Sequence, residues 1–264
     1  MRLDHRLPET LSEGTNAYKI VMTLKELRAE IKRWGRMRML FKWLMWFLRK
    51  YAGLSIYRVN KRPLGGNPGT PDLPGGITLA IVPPGKLLDA AADPELDMEA
   101  GFARAALARG DLAFGAFDGD HLIAYVWRTF TAAPAEDGLW VRVDRPCHYA
   151  YKAFTLPSYR GKRIHIALSL LCDRYFMERG YAAEVGYSEI SNYPSIAAAE
   201  FLGRRRVGFA GYVKCFGRRI SFRTPGLKKL GFELFEPSDS RTPTPVVSPR
   251  PDSPIPSSRQ PDRR

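Results

Sequence analysis

Apolar and polar positions follow two rhythms along this chain, and the rhythm changes at turn residues. Between Thr23 and Tyr51 the apolar residues recur at helical spacing. Leu27, Ile31, Trp34, Phe41, Leu44, Leu48 and Tyr51 form one stripe, which predicts a long amphipathic helix. Thr23 with Glu26 three residues later fits a capping box at its start, and Gly35 is its weak point. From Ile77 the pattern alternates between strand and helix. Ile77–Val82 reads as a strand, followed by helical stretches at Leu87–Ala92 and Leu96–Arg109. Leu112–Phe117 and Leu122–Thr129 read as a hairpin across Asp118-Gly119-Asp120. Next come strand Cys147–Thr155, helix Gly161–Arg179, strand Ala183–Ile190 and helix Pro194–Leu202. Arg206–Phe216 and Arg219–Arg223 close the pattern as a second hairpin over Gly217. This order predicts an α/β fold with a mixed, partly antiparallel sheet flanked by helices.

Turn residues and composition then divide the chain into four stretches. Residues 1–62 read as a basic arm followed by the amphipathic helix. Residues 63–76 are rich in proline and glycine and read as a linker. Residues 77–235 form the α/β domain. Residues 236–264 carry eight prolines and six serines without apolar periodicity, which predicts a disordered tail.

Charge changes the picture at one end. The 264 residues carry a formal net charge of +14. Residues 1–62 hold 15 Lys and Arg against 5 Asp and Glu, so most of that excess lies there. Such a segment suits an anionic membrane surface or an acidic partner, or is simply solvated. Tryptophan and basic residues together suit a membrane interface; packing on the domain or on a partner chain is the other reading of the helix. The apolar run Met37–Leu48 is interrupted by Arg38 and Lys42 and is too short to span a bilayer. No helix-turn-helix, zinc-finger or RNA-binding signature accompanies the charge, so nucleic acid is not favoured. The three cysteines, Cys147, Cys172 and Cys215, form no disulfide framework, and no secretory signal is visible. A cytoplasmic setting is expected, and contact with the inner face of a membrane is the alternative that the basic helix leaves open. The four histidines show no metal-ligand spacing, and no metal is expected.

The sharpest chemical signal runs from Thr155 to His165, TLPSYRGKRIH, between a strand and a helix. At such a junction successive backbone N–H groups and the helix dipole converge on one point, which favours a diphosphate. Downstream, Asn192-Tyr-Pro-Ser195 opens the next helix and Leu202-Gly203 ends it. These segments resemble the pyrophosphate loop and the following helix of GNAT-superfamily N-acyltransferases. In that family an Arg or Gln, here Arg160, starts the loop after a Pro-x-Tyr lead-in, here Pro157-Ser158-Tyr159. Arg163 and His165 stand where the family usually has small residues, and Arg204 stands where it has Phe after Leu-Gly. The resemblance covers roughly Ile77 to Phe235.

The resemblance implies a substrate, acetyl-CoA or another acyl-CoA, and an amine acceptor. It implies a gap between strands Cys147–Thr155 and Ala183–Ile190 in which the pantetheine arm lies. Backbone groups near Phe154 and Leu156 would pair with that arm. Arg160, Gly161, Lys162, Arg163, Ile164 and His165 would hold the diphosphate, and Asn192 would contact the arm or simply cap its helix. A general base is expected because an ordinary amine has a pKa near ~10.4. The family's usual glutamate position is Tyr149 here, with His148 beside it on the opposite face, so the catalytic candidates are His148, Tyr149 and Glu189, with Glu184 a further alternative. The family's usual acidic tyrosine falls on Ala199, so Tyr212 or Tyr187 would have to replace it. A catalytically degenerate interaction module on the same fold is the alternative.

Overall fold

A computed structural model describes residues 24–65 and 71–237. Helices α1 (Leu24–Trp34) and α2 (Arg36–Ala52) lead into strand β1 (Leu54–Pro63). Then follow β2 (Ile77–Ile81), α3 (Pro84–Ala90), α4 (Ala100–Ala108), β3 (Leu112–Asp118), β4 (His121–Thr129), β5 (Ala132–Pro134) and β6 (Trp140–Arg142). The chain continues through β7 (Cys147–Thr155), α5 (Ile164–Met177), β8 (Ala183–Glu189), α6 (Tyr193–Phe201), β9 (Arg205–Cys215) and β10 (Arg218–Arg223). It ends with α7 (Pro225–Lys229) and β11 (Glu233–Phe235).

Eight strands form one sheet in the order β10-β9-β1-β8-β7-β4-β3-β2. Every neighbouring pair is antiparallel except β7 and β8, which run parallel. A small antiparallel sheet, β11-β6-β5, covers part of one face. The expected mixed, partly antiparallel α/β architecture is therefore present. Its apolar residues gather in two cores. Phe114, Ile123, Trp127, Leu168 and Phe176 belong to the one under α5, and Tyr57, Val59, Tyr149, Val185 and Phe232 to the one under the small sheet.

Three expectations change. The long helix is two helices, because Gly35 takes φ 86, a left-handed conformation closed to most residues. The break rotates the apolar stripe. Met39 and Met45 turn inward, whereas Leu44 and Tyr51 of the expected stripe face solvent. Second, residues 1–62 are not merely an arm and a helix. Leu54–Pro63 is a strand in the middle of the main sheet, paired with β8 on one side and β9 on the other. The α/β unit thus begins before the 63–76 stretch, and the closing hairpin β9–β10 packs against β1 rather than against β8. Third, the helix expected from Leu96 starts only at Ala100, because Asp93 ties residues 93–96 into a turn through Glu95 N–H and Leu96 N–H. The arm 1–18, residues 66–70 of the linker and residues 238–264 of the tail lie outside the described residues.

Candidate active site

The parallel strands β7 and β8 pair only at Cys147↔Ala183, His148↔Glu184 and Tyr149↔Val185. Beyond Tyr149 each strand follows its other neighbour. β7 stays on β4 up to Thr155, and β8 stays on β1 up to Glu189. The two strands therefore splay, and a cleft of about 470 Å³ opens between Ala150–Thr155 and Gly186–Ser188. Helix α6 borders it with Ser195, Ala198 and Ala199. Gly186 permits the narrow end of the splay. A Cβ there would stand 3.3 Å from the Arg204 guanidinium and 3.4 Å from the Ala150 carbonyl.

One edge of the cleft is unpaired backbone. Leu156 N–H donates to Ile123 C=O at 2.9 Å. Antiparallel alternation turns Phe154 toward β4 as well, which leaves Ala153 and Thr155 facing the cleft. This corrects the expectation that backbone near Phe154 and Leu156 would be offered to a ligand: Leu156 is a buried core residue, while Phe154 contributes to the lining.

The loop after β7 lies at the mouth, where Arg160 and His165 line the cleft. Pro157–Tyr159 is a 3₁₀ turn, pinned where Tyr159 O–H donates to Asp118 at 2.6 Å. Gly161 has φ 80, and Arg163, the N-cap of α5, has φ 60. Arg163 thus adopts the left-handed geometry that glycine takes at no steric cost. The N–H groups of residues 161–165 donate to no backbone carbonyl among the described residues. They form a nest of free donors at a helix N-terminus, which suits phosphate oxygens. Arg160 Nε donates to the Thr155 carbonyl at 3.2 Å, and Lys162 Nζ lies 4.4 Å from the Tyr159 ring centre.

The closed end of the splay is sealed by buried charge. Glu184 is fully buried, with Arg128 Nη2 at 2.7 Å and Arg204 Nη2 at 2.6 Å. Arg62 Nη2 lies 3.6 Å from Glu184, and Arg62 forms a two-pronged pair with Asp173 at 2.6 and 2.7 Å. The guanidiniums of Arg204, Arg128 and Arg62 outweigh the burial of Glu184 and hold its carboxyl well below the usual range. Glu184 is therefore a fixed anion and no proton acceptor. Arg128 and Arg204 also line the cleft, with Lys152, Arg160 and the half-buried His165. Among the described residues no carboxylate lines it. Burial, then Arg204 and Arg128, push His165 down to about 4, so it is neutral at pH 7.

None of the three catalytic candidates reaches the cleft. His148 is buried and stacked on Phe176, ring centres 3.8 Å apart, and neither ring nitrogen has a hydrogen-bond partner. Burial pushes it down to about 3, so it is a neutral core residue. Tyr149 is buried on the other face, stacked on Tyr187, and burial raises its phenol well above the ordinary value. Glu189 accepts from Ser191 Oγ at 3.0 Å and lies 3.7 Å from Arg49 of α2. Asn192 caps α6, its Oδ1 accepting from Ser195 N–H at 3.2 Å. Ile164 is buried as the first residue of α5.

Sequence reasoning missed the groups that do line the cleft: Arg128, Arg204, Lys152 and Tyr151. Arg128 carried a signal, a charged residue closing the apolar run Leu122–Trp127. Tyr151 donates to Asp111 Oδ2 at 2.8 Å, and burial raises its phenol. Tyr187, one of the two expected substitutes for the missing acid, lines the cleft, and burial raises its phenol too. Tyr212, the other, is buried in the second core. Ala199, the position at which the resemblance implies a tyrosine, borders the cleft. Among the described residues no group of His, Cys, Asp and Glu is placed to hold a metal.

No family model matches this sequence, and no curated protein does. Solved structures similar to it include proteins described as GNAT proteins and N-acetyltransferases. A tandem GNAT protein from the clavulanic acid biosynthesis pathway is 17% identical over 58% of this chain and 50% of its own, with a TM-score of 0.42. A GCN5-related N-acetyltransferase from Sphaerobacter thermophilus is 14% identical over 69% of this chain and 56% of its own, with a TM-score of 0.43. An aminoglycoside 6'-N-acetyltransferase from Acinetobacter baumannii is 19% identical over 48% of this chain and 90% of its own, with a TM-score of 0.38. The chain thus spans about half the length of the first two. Likeness at this level carries no inference about reaction or substrate.

Proposed function

We propose that the protein transfers an acyl group from an acyl-coenzyme A to an amine, with the thioester held in the β7–β8 cleft. The observation that carries this reading is a conjunction: an unpaired strand edge inside a splayed parallel pair, leading to free N–H groups at the start of α5. An extended amide-bearing arm fits the first, and a diphosphate fits the second. The cationic, carboxylate-free lining suits a polyanionic ligand. The N–H groups of residues 161–165, with Arg160, would hold the diphosphate.

In the transfer, the neutral amine nitrogen attacks the thioester carbonyl, the C–S bond breaks, and an amide and a thiol result. A cleft-facing N–H of β7 would stabilise the oxyanion. Tyr187, its phenol kept protonated by burial, would donate a hydrogen bond to the leaving sulfur, which takes its proton from water. His165 lines the cleft as a neutral imidazole, but a base pushed down to about 4 holds a proton weakly, so the amine's proton leaves to water. A second reading has an observation of its own. The cleft has alanine at position 199 and no carboxylate, which also fits a fold kept for binding without turnover.

Calorimetric titration with CoA, acetyl-CoA and a long-chain acyl-CoA, beside an Arg160→Ala, Lys162→Ala variant, tests the proposal. Saturable binding that the double variant weakens supports it. Failure of the folded protein to bind any of the three overturns it. Binding without thiol release, across a panel of amines, favours the second reading.

A further inference from the structure

Helix α2 carries its largest apolar side chains on the outside. Met37 is 77% exposed and Phe47 53%, and Leu40, Trp43, Leu44 and Tyr51 are exposed with them. Their spacing places them along one side of a helix of 17 residues, about 25 Å long. The sequence of α2, RMRMLFKWLMWFLRKYA, has five basic residues and no acidic one. Arg36, Arg38 and Lys50 are exposed. No helix among the described residues is long and apolar enough to cross a membrane.

A second element repeats the combination. The turn between β9 and β10 presents Phe216 fully exposed, in a left-handed conformation with φ 48. Exposed Lys214 and Arg218 flank it, and Ile220 and Phe222 are exposed on β10. The two elements are joined. Gly53, which ends α2, accepts from Lys214 N–H at 3.0 Å. It has φ 62, and a Cβ on it would stand 2.6 Å from Lys214 Cβ, so only glycine lets helix and hairpin meet this closely.

We infer that α2 and the β9–β10 turn form one docking surface for an anionic lipid bilayer. Aromatic and aliphatic side chains bordered by cations match an interface in which the chains enter the headgroup region and the cations meet lipid phosphates. A protein partner would need acidic groups set against scattered cations, and nothing in the patch fixes such a pattern. Docking also orients the cleft. Helix α6, which borders it, is held to α2 and the end of α1 through Tyr193, whose O–H donates to the Arg38 carbonyl at 3.1 Å and whose ring lies 5.8 Å from that of Trp34. The inference does not depend on acyl transfer.

The test is co-sedimentation of the full chain with large vesicles, phosphatidylcholine alone against phosphatidylcholine mixed with phosphatidylglycerol. Binding to the mixed vesicles is expected, with a blue shift of tryptophan emission that Trp43→Phe diminishes. Trp43→Ala with Phe47→Ala, and separately Phe216→Ser, should each weaken it about tenfold. Lys50→Glu should weaken it at least about fivefold. All these residues are exposed, so thermal melts should match the parent protein. Arg160→Ala should bind vesicles normally, which separates this surface from the cleft. Equal sedimentation of the apolar variants and the parent overturns the inference, as does no binding to the mixed vesicles. So does a dimer in solution that Phe47→Ala dissociates while vesicles leave the protein unbound.

Discussion

The closed and open halves of the β7–β8 pair are built from the same two strands and do opposite things. In the closed half, three paired residues on each strand enclose His148 and Glu184, with three guanidiniums within reach of Glu184. The charges there are paired with one another, and the His148 ring is stacked on Phe176. In the open half the strands lose each other, and backbone and side chains are left facing a cleft. Arg128 and Arg204 belong to both, since they hold Glu184 and also line the cleft. The lesson is that the splay needs an anchor. Strands diverging around an empty space stay put only if their meeting point is rigid, and a buried ion cluster from four elements and a connecting loop supplies that rigidity.

The sharpest way to break the anchor is Glu184→Gln. It leaves three guanidiniums buried around a neutral group, and loss of one partner of a buried pair costs about 3–5 kcal/mol. Urea unfolding should show that loss. The same variant should weaken coenzyme A binding, because the cleft loses its fixed end. A variant as stable as the parent would mean that the cluster does not anchor the splay.

Acid should act on the closed half next. His148 is pushed down to about 3 from 6.5, so the unfolded chain binds its proton first. Stability is full above 6.5 and falls as the pH drops toward 3, by up to about 5 kcal/mol for a shift of this size. Glu184, held well below 4.5, adds a loss that begins below 4.5, where the unfolded chain's carboxylate takes up a proton and the folded one does not. His148→Phe should keep the stacking on Phe176 and remove the loss between pH 6.5 and 4.5. It should also leave the proposed acyl transfer unchanged, as expected of a residue that does not reach the cleft. Denaturation at several pH values, with activity alongside, checks both.

These two halves were not equally legible in the sequence. The loop from Thr155 to His165 and the cap at Asn192 are local, their turn chemistry written within ten residues, and both were found. The anchor is not local. Arg62, Arg128, Glu184 and Asp173 come from β1, β4, β8 and α5, and Arg204 from the loop before β9, so no window of sequence contains their meeting. Strand β1 itself was hidden by the same residues. Tyr57 and Val59 alternate as a strand should, but Arg58, Asn60 and Arg62 between them read as a solvated face. Arg58 instead pairs with Glu200 of α6 at 2.8 Å, Asn60 lines the cleft and Arg62 joins the ion cluster, and the last two are buried. His148 is one of the catalytic candidates because it stands beside the expected catalytic position; its place against Phe176 is set by α5, which the local sequence does not show.

In the open half, Arg160→Ala removes a charged donor at the mouth. Loss of one charge-assisted contact to phosphate should weaken coenzyme A about tenfold without changing stability, since Arg160 is exposed and bonds only the Thr155 carbonyl. Titration calorimetry and a thermal melt read the two effects separately.

Arg163→Gly makes the smallest and most discriminating change. Arg163 holds φ 60 at the start of α5, a conformation that costs an L-residue about 1 kcal/mol. Glycine relieves that strain but gains freedom in the unfolded chain, so the net gain in stability should stay below about 1 kcal/mol. The useful reading is affinity. If the loop binds diphosphate through its free N–H groups, glycine keeps those donors in place and coenzyme A binding stays within about twofold, a fraction of one hydrogen bond's worth. A loss near that of Arg160→Ala would show instead that the Arg163 side chain reaches the phosphates. The open half would then depend on side-chain charge where related loops depend on glycine.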